Sequence, residues 1–151
     1  MKAALTYYLF EGILTGLAAD RVFHLTALSG GGGGTTRSKP TAATNNPYAE
    51  GLKTHIEFGK HIHGGPIPPG IYLIKLPKIH PHLGISAQLE HPGWRPMGRD
   101  GFFIHGRGKH GSDGCIVVLL PNQLASLMDA LKTSNGGTLI VQESMSGDRF
   151  A

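Results

Sequence analysis

Short apolar runs, separated by glycine and proline, constrain the fold of this chain more than any other feature. Its 151 residues include 23 glycines and 10 prolines. Short runs with alternating apolar and polar residues are typical of strands, whereas a helix needs a longer stretch of 3.6-residue periodicity. We therefore expect a mainly β chain, and its length fits a single domain over residues 1–151.

Alternation within these runs predicts individual strands. In 22–28, Phe23, Leu25 and Ala27 lie on one face, and polar residues fall between them. The N-terminal stretch 1–21 reads as two strands around the turn at Glu11, and Glu11 interrupts the apolar core that a Sec signal would need, so we interpret it as mature protein. Other strands are predicted at 5–10, 71–76, 85–89, 102–105, 116–120 and 138–142.

A single stretch has convincing helical periodicity. Leu124, Leu127, Met128 and Leu131 recur at the spacing of one buried helical face. The run Asn-Gly-Gly that begins at Asn135 is a typical helix stop. These residues predict one helix in the C-terminal half, at about 122–134.

The segment 29–50 contains five consecutive glycines followed by small polar residues. Such a composition cannot pack a core, so we predict a flexible loop, long enough to contribute to a binding site.

Charge and cysteine content exclude several classes of protein. The formal net charge is +4, and no basic run is interleaved with aromatic residues, so we expect no nucleic-acid partner. No apolar stretch reaches the length of a transmembrane helix, so we expect no membrane insertion. The single cysteine, Cys115, forbids an intrachain disulfide.

That cysteine lies in the stretch "FFIHGRGKHGSDGCIVVLL" at 102–120. We take its two apolar runs as a hairpin, which would bring His105 at the end of one strand close to Cys115 at the start of the next. An adjacent imidazole can accept the thiol proton, and the N–H groups of Gly114 and Cys115 could stabilise an oxyanion. Spacing alone leaves two interpretations open: a thiol nucleophile and a buried structural cysteine.

The residues around the pair resemble a known family. "IHG" followed by "SDGCI", with "GPIPPGIYLI" upstream, is similar to the signature of L,D-transpeptidases of the YkuD-like fold. The resemblance implies a β-sandwich, Cys115 as nucleophile and His105 as base, with Ser112 assisting. It further implies that the loop residues Gly106, Asp113 and Gly114 shape the site, and that a peptidoglycan tetrapeptide stem is the substrate, with no metal or other cofactor.

"MGRDGFFIHG" and "GCIVVLLP" resemble more narrowly the antibacterial L,D-transpeptidase effectors of type VI secretion. This resemblance implies delivery to the periplasm of a target bacterium, the secretion apparatus as a partner and a cognate immunity protein. Cell-wall L,D-transpeptidases usually carry arginine two residues after the cysteine, where this chain has Val117. Arg99 or Arg107 could replace that arginine in binding substrate, and Trp94 could line the groove.

Other functions remain open at this point. A housekeeping cell-wall L,D-transpeptidase and a non-catalytic wall-binding module would share the fold. A papain-like protease would have the cysteine before the histidine and at the start of a helix. Alternating histidines, His61 with His63 and His80 with His82, could chelate a metal as neighbours on one strand face. We favour solvated loop histidines, because no H-E-x-x-H helix is present and both pairs lie beside proline or glycine.

Overall fold

The computed structural model describes residues 1–30, 44–51, 53, 55–62, 64–93, 95–107 and 114–146. It contains one α-helix, α1 (Pro121–Thr133), among these residues, and two single 3₁₀ turns at Pro47–Ala49 and Pro96–Gly98. The strands are β1 (Ala3–Tyr8), β2 (Ile13–Ala18), β3 (Arg21–Ser29), β4 (His55–Glu57), β5 (Lys60–Ile62), β6 (Gly70–Ile74), β7 (Lys78–His80), β8 (Gly84–Glu90), β9 (Phe102–Gly106), β10 (Ile116–Val118) and β11 (Gly137–Gln142).

Nine of the described strands form one sheet, in the order β6-β11-β1-β2-β3-β10-β9-β8-β7. The sheet closes on itself because β6 also pairs with β8, through Leu73 with Glu90 and Ile74 with Leu89. Closure leaves fewer edge strands with unpaired backbone groups. The predicted mainly β fold with a single helix is confirmed, and its layers belong to one continuous, barrel-like sheet.

Alternate residues of each strand face the core. In β3, Phe23, Leu25 and Ala27 are buried while Val22 is exposed, as its sequence pattern predicts. The N-terminal segment likewise forms two strands, β1 and β2, that pair antiparallel across the turn near Glu11. Each large apolar side chain buried in this way contributes about 1.5–3 kcal/mol.

Helix α1 packs its apolar face on strands β2, β3, β8, β9 and β10. Leu124, Leu127, Met128 and Leu131 are all buried, which confirms the predicted face. At its C-terminus, Asn135 adopts a φ of 58°, and the Gly136 N–H donates to the Leu131 carbonyl at 2.9 Å. This left-handed ending turns the chain directly into β11.

The expected hairpin between 102–105 and 116–120 is wrong in one respect. β9 and β10 are neighbours, but they run parallel, with Ile104 opposite Ile116 and His105 opposite Val117. The antiparallel partner of β10 is β3. A connection as long as residues 107–115 can extend to about 30 Å, which is enough to return the chain to the start of a short parallel strand.

Short strands at β4, β5 and β7 were not predicted from the sequence. β4 and β5 form a separate two-stranded sheet, and β7 pairs with the start of β8.

Most of the predicted flexible loop, residues 31–43, lies outside the described residues. No helix in the part of the chain that the structure describes has the length and apolar content to cross a membrane.

Candidate active site

Strands β9 and β10 position the predicted histidine and cysteine. Phe102 and Ile104 of β9 face the core, so the alternating residues Phe103 and His105 point to the opposite face of the sheet. Cys115 immediately precedes Ile116, the first residue of β10, whose partner is Ile104. Extending this register places Cys115 beside Phe103 on an adjacent strand, two residues along from His105.

The tautomer of His105 follows from its hydrogen bond. Nδ1 lies 2.6 Å from the carbonyl oxygen of Gly106. A carbonyl only accepts hydrogen bonds, so Nδ1 carries the proton and Nε2 of the neutral ring has the lone pair. Nε2 is buried and has no hydrogen-bond partner among the described residues. The ring therefore offers an unprotonated nitrogen of the kind that a general base needs.

The surroundings of His105 favour its neutral form. The residue is only 2% exposed, and burial lowers its pKa. The hydrogen bond to Gly106 acts in the opposite direction, and nearby His80 lowers the pKa further. Val117, opposite His105, is also buried and places an apolar side chain beside the imidazole strand.

His80 belongs to this site, although the sequence suggested a solvated loop histidine or, as the alternative, a metal ligand. Its ring meets the Phe103 ring edge-on, with the centroids 5.3 Å apart. The backbone N–H of His82 donates to His80 Nδ1 at 3.0 Å. No group of three or more histidine, cysteine or acidic side chains is placed to hold a metal among the described residues. His63 and the side chain of His61 lie outside that part.

Cys115, the single cysteine of the sequence, is partly buried. Its Sγ lies 3.8 Å from the carbonyl oxygen of Gly101. Gly114, just before it, has a φ of 135°. A Cβ at Gly114 would lie 2.6 Å from Phe102 Cε1 and 2.7 Å from Arg99 Nη2, so glycine is required at this position.

Arg99 lies beside the thiol loop and is 6% exposed. Its Nη1 donates to the carbonyls of Glu50 and Pro66 at 2.5 and 2.7 Å, and its Nη2 donates to the Gly65 carbonyl at 2.9 Å. The guanidinium also lies 5.3 Å from the Phe102 ring centroid. Through these contacts, Arg99 joins the segment before β6 to the site. This structural role was not predicted from the sequence, and the predicted binding of substrate by Arg99 stays a prediction.

The remaining predicted site residues are placed as follows. Arg107 is exposed and follows β9 directly, where it is accessible to a ligand. Gly106 packs against α1, since a Cβ there would lie 2.7 Å from Leu124 Cδ2. Ser112, Asp113 and Trp94 lie outside the described residues, so their predicted roles stay predictions.

A groove of about 750 Å³ lies beside His80 and Phe103. Phe103 and His80 form part of its wall, together with three lysines, Lys2, Lys75 and Lys78. None of its described lining residues is acidic. The groove is therefore suited to ligands that carry negative charge.

A second cavity, of about 480 Å³, borders the thiol side. It includes Gly101, whose carbonyl contacts Cys115 Sγ, and it shares Gln88 with the lysine-lined groove. The outer face of β8 and β9 thus lies between two concave surfaces. Neither Cys115 nor His105 lines either cavity, and the Gly101 carbonyl connects the smaller cavity to the thiol.

Comparison with known proteins places the fold. No family model matches the sequence, and no curated protein matches it. Among solved structures, the chain is similar to the L,D-transpeptidase from Xylanimonas cellulosilytica, with a TM-score of 0.56 and 16% identity over 93% of this chain and 60% of that one. The L,D-transpeptidase from Stackebrandtia nassauensis gives a TM-score of 0.50 and 16% identity over 97% of this chain and 58% of that one.

The L,D-transpeptidase from Mycobacterium smegmatis also gives a TM-score of 0.50, at 14% identity over 93% of this chain and 58% of that one. The chain spans only about 60% of the length of these proteins. The similarity establishes that the chain has the L,D-transpeptidase fold.

Proposed function

We propose that this protein is a cysteine-dependent L,D-transpeptidase or L,D-carboxypeptidase that acts on peptidoglycan tetrapeptide stems. Three observations support the proposal: the fold, the "IHG" and "SDGC" motifs, and the position of Cys115 directly before β10, the strand that pairs with the strand of His105. The observation that carries it is the His105 imidazole, whose buried Nε2 has the lone pair and no partner among the described residues.

In the first step, His105 Nε2 accepts the thiol proton of Cys115. The sulfur then forms a bond to the carbonyl carbon of the stem's diaminopimelate residue, and the carbonyl electron pair moves onto oxygen. When this pair returns, the bond to the terminal D-alanine breaks, and the imidazolium gives its proton to the leaving amine. The products are free D-alanine and a thioester on Cys115.

In the second step, a nucleophile attacks the thioester. Neutral His105 accepts a proton from water or from an amine, the new bond to the carbonyl carbon forms, and the Cys115 thiol leaves with a proton. Water gives a tripeptide stem, which is carboxypeptidase activity. A D-amino acid or a second stem gives exchange or cross-linking.

The lysine-lined groove suits the charge of this substrate. A tetrapeptide stem carries carboxylates at its D-alanine and diaminopimelate residues. Lys75 and Lys78 line the groove with His80 and Phe103, and Arg107, directly after β9, supplies a further exposed cation. Arg107 would then bind the substrate carboxylate in place of the arginine that cell-wall L,D-transpeptidases usually carry at the position of Val117.

We further propose that the protein is an antibacterial effector delivered by type VI secretion into the periplasm of a target bacterium. The support is the resemblance of "MGRDGFFIHG" and "GCIVVLLP" to that group of effectors. A producing cell has the same wall chemistry as its kin, so the proposal includes an immunity protein. That partner would block the site by covering Cys115.

Mass spectrometry of purified stems tests the enzymatic proposal. Tetrapeptide stems incubated with the reduced protein should lose D-alanine, or exchange it when a D-amino acid is added. The Cys115→Ala variant provides the background. Unchanged tetrapeptides with the native protein, under conditions in which the thiol is free, would contradict the proposed function.

A further inference from the structure

Ser29, at the end of β3, contacts the backbone directly before the nucleophile. Its side chain is fully buried. The hydroxyl donates to the Gly114 carbonyl at 2.9 Å, and it accepts the Ile67 N–H, also at 2.9 Å. The single hydroxyl proton therefore has a defined direction: Ile67 is the donor to Ser29, so the proton of Ser29 must point to Gly114.

The backbone of Ser29 is held as firmly as its side chain. Asn45 Oδ1 accepts the Ser29 N–H at 2.7 Å, and the Asn45 N–H donates to the Ser29 carbonyl at 2.9 Å. Ser29 also pairs with Ile116 across the β3–β10 ladder. The hydroxyl is thus presented from a fixed point beside the start of β10.

These contacts fix the orientation of the peptide that joins Gly114 and Cys115. Its carbonyl is directed to Ser29, and Phe102 and Arg99 leave no room for a Cβ at Gly114. No cis peptide occurs in the described chain, so the C=O and N–H groups of this peptide point in opposite directions. The Cys115 N–H is therefore directed away from Ser29. A rotation of the carbonyl would move this N–H by the same angle.

We propose that Ser29 is a positioning residue that sets the direction of the Cys115 N–H as a donor to the oxyanion. The inference rests on the proposed role of Cys115 as the nucleophile. It assigns to the hydrogen bond at Gly114 a function in transition-state stabilisation, in addition to holding the loop.

Two chemical modifications of Cys115 separate this role from a structural one. With 4-nitrophenyl acetate, the sulfur bonds to the carbonyl carbon, an oxyanion forms, and 4-nitrophenolate leaves as the thioester is made. With iodoacetamide, the sulfur displaces iodide from a saturated carbon, and no oxyanion forms. Ser29→Ala should slow acylation by about 10- to 100-fold, because removal of a whole oxyanion donor costs about 10²–10³. Alkylation should change less than about twofold, since it needs no such donor.

Ser134→Ala is a matched control. Ser134 is also buried, accepts the Ala19 N–H at 2.8 Å and donates to the Ala130 carbonyl at 2.8 Å, but it lies at the end of α1. The two alanine variants lose equivalent hydrogen bonds, so their melting temperatures should fall by similar amounts. Only Ser29→Ala should lose acylation selectively.

A second pair keeps the test valid if Ser29→Ala fails to fold. Ser29→Thr and Ser29→Val have nearly the same shape, and only threonine keeps the hydroxyl, so acylation should be faster in the threonine variant. Equal slowing of acylation and alkylation, or equal acylation by the threonine and valine variants, would overturn the inference. A native protein whose Cys115 is alkylated but not acylated would overturn both the inference and the proposed nucleophile. Failure on stems alone, with the ester result intact, would count only against the proposed substrate.

Discussion

At the scale of single residues, His105 combines two properties that favour general-base catalysis at neutral pH. Its buried ring stays neutral, and its Nδ1–H is held by the Gly106 carbonyl. An ordinary histidine has a pKa of about 6.5. Because burial lowers the pKa of His105, Nε2 remains unprotonated at pH values where an exposed histidine would already be charged.

The pH profile of kcat/KM should reflect this shift. The acidic limb should have an apparent pKa below about 6.5, since the profile reports the essential base of the free enzyme. His80→Ala should move this limb upward, because His80 lowers the pKa of His105. An acidic limb at or above about 6.5 in the native protein would contradict the assignment.

The same shift has a consequence for stability. When the pH falls below about 6.5, histidine in the unfolded chain binds a proton before buried His105 does. The unfolded state then holds more protons, so the free energy of unfolding contributed by this residue decreases on acidification. This decrease should be smaller in His105→Gln, as measured by denaturant unfolding at pH 7 and at pH 5.

Substitution of the two central residues should remove activity and leave the fold. Cys115→Ala should abolish turnover, and His105→Ala should reduce it by roughly 10²–10⁴-fold. His24→Ala is the control, because His24 is exposed on β3. Circular dichroism should show folded protein in all three variants. An active Cys115→Ala variant would contradict the assignment of the nucleophile.

At the scale of elements, the turn into β10 depends on Gly114. Alanine there would combine a φ of 135° with contacts of 2.6 Å to Phe102 and 2.7 Å to Arg99. We expect Gly114→Ala to lower the free energy of unfolding by about 2–4 kcal/mol, from backbone strain and overpacking. Gly101→Ala is the control, since Gly101 has a φ of 77° but no atom within 4 Å of the position that a Cβ would take. An equal loss in both variants would show that the contacts contribute nothing.

The sequence predicts most long elements because their patterns are local. Alternation gives β3, and helical spacing gives α1. The sequence pattern cannot show whether β10 runs parallel or antiparallel to β9, because the same apolar residues face the core in either case. The strands β4, β5 and β7 have three residues each, too few to show a period.

The site residues likewise include some that the sequence predicts and some that it does not. Cys115 and His105 lie in one motif, so the sequence predicts them together. Ser29 and Arg99 act through contacts to residues far along the chain, such as Gly114 and Gly65. A buried serine or arginine has no local pattern that indicates its partner, so only the folded chain reveals these roles.

At the scale of the whole molecule, the closed sheet holds β9 and β10, the strands at the candidate site, between β3 and β8 and away from any edge. The lysine-lined groove and the smaller cavity share Gln88 of β8 on its surface.

The proposed effector role predicts where the protein is toxic. Fused to a Sec signal and expressed in a susceptible Gram-negative cell, the chain should lyse or arrest the cell, because the wall is reached only from the periplasm. The same chain without the signal should be harmless. Toxicity from the cytoplasm, or toxicity that persists in Cys115→Ala, would contradict a wall target attacked by this thiol.

The central claim is that Cys115 forms a thioester with the stem, and the mass of the intact protein tests it most directly. Native protein mixed with tetrapeptide stem and quenched in acid should gain the mass of the tripeptide acyl group, with D-alanine released in equal amount. Peptide mapping should locate the added mass on Cys115, and neutral hydroxylamine should remove it. Release of D-alanine without any adduct in the native protein, together with undiminished release by Cys115→Ala, would contradict the account.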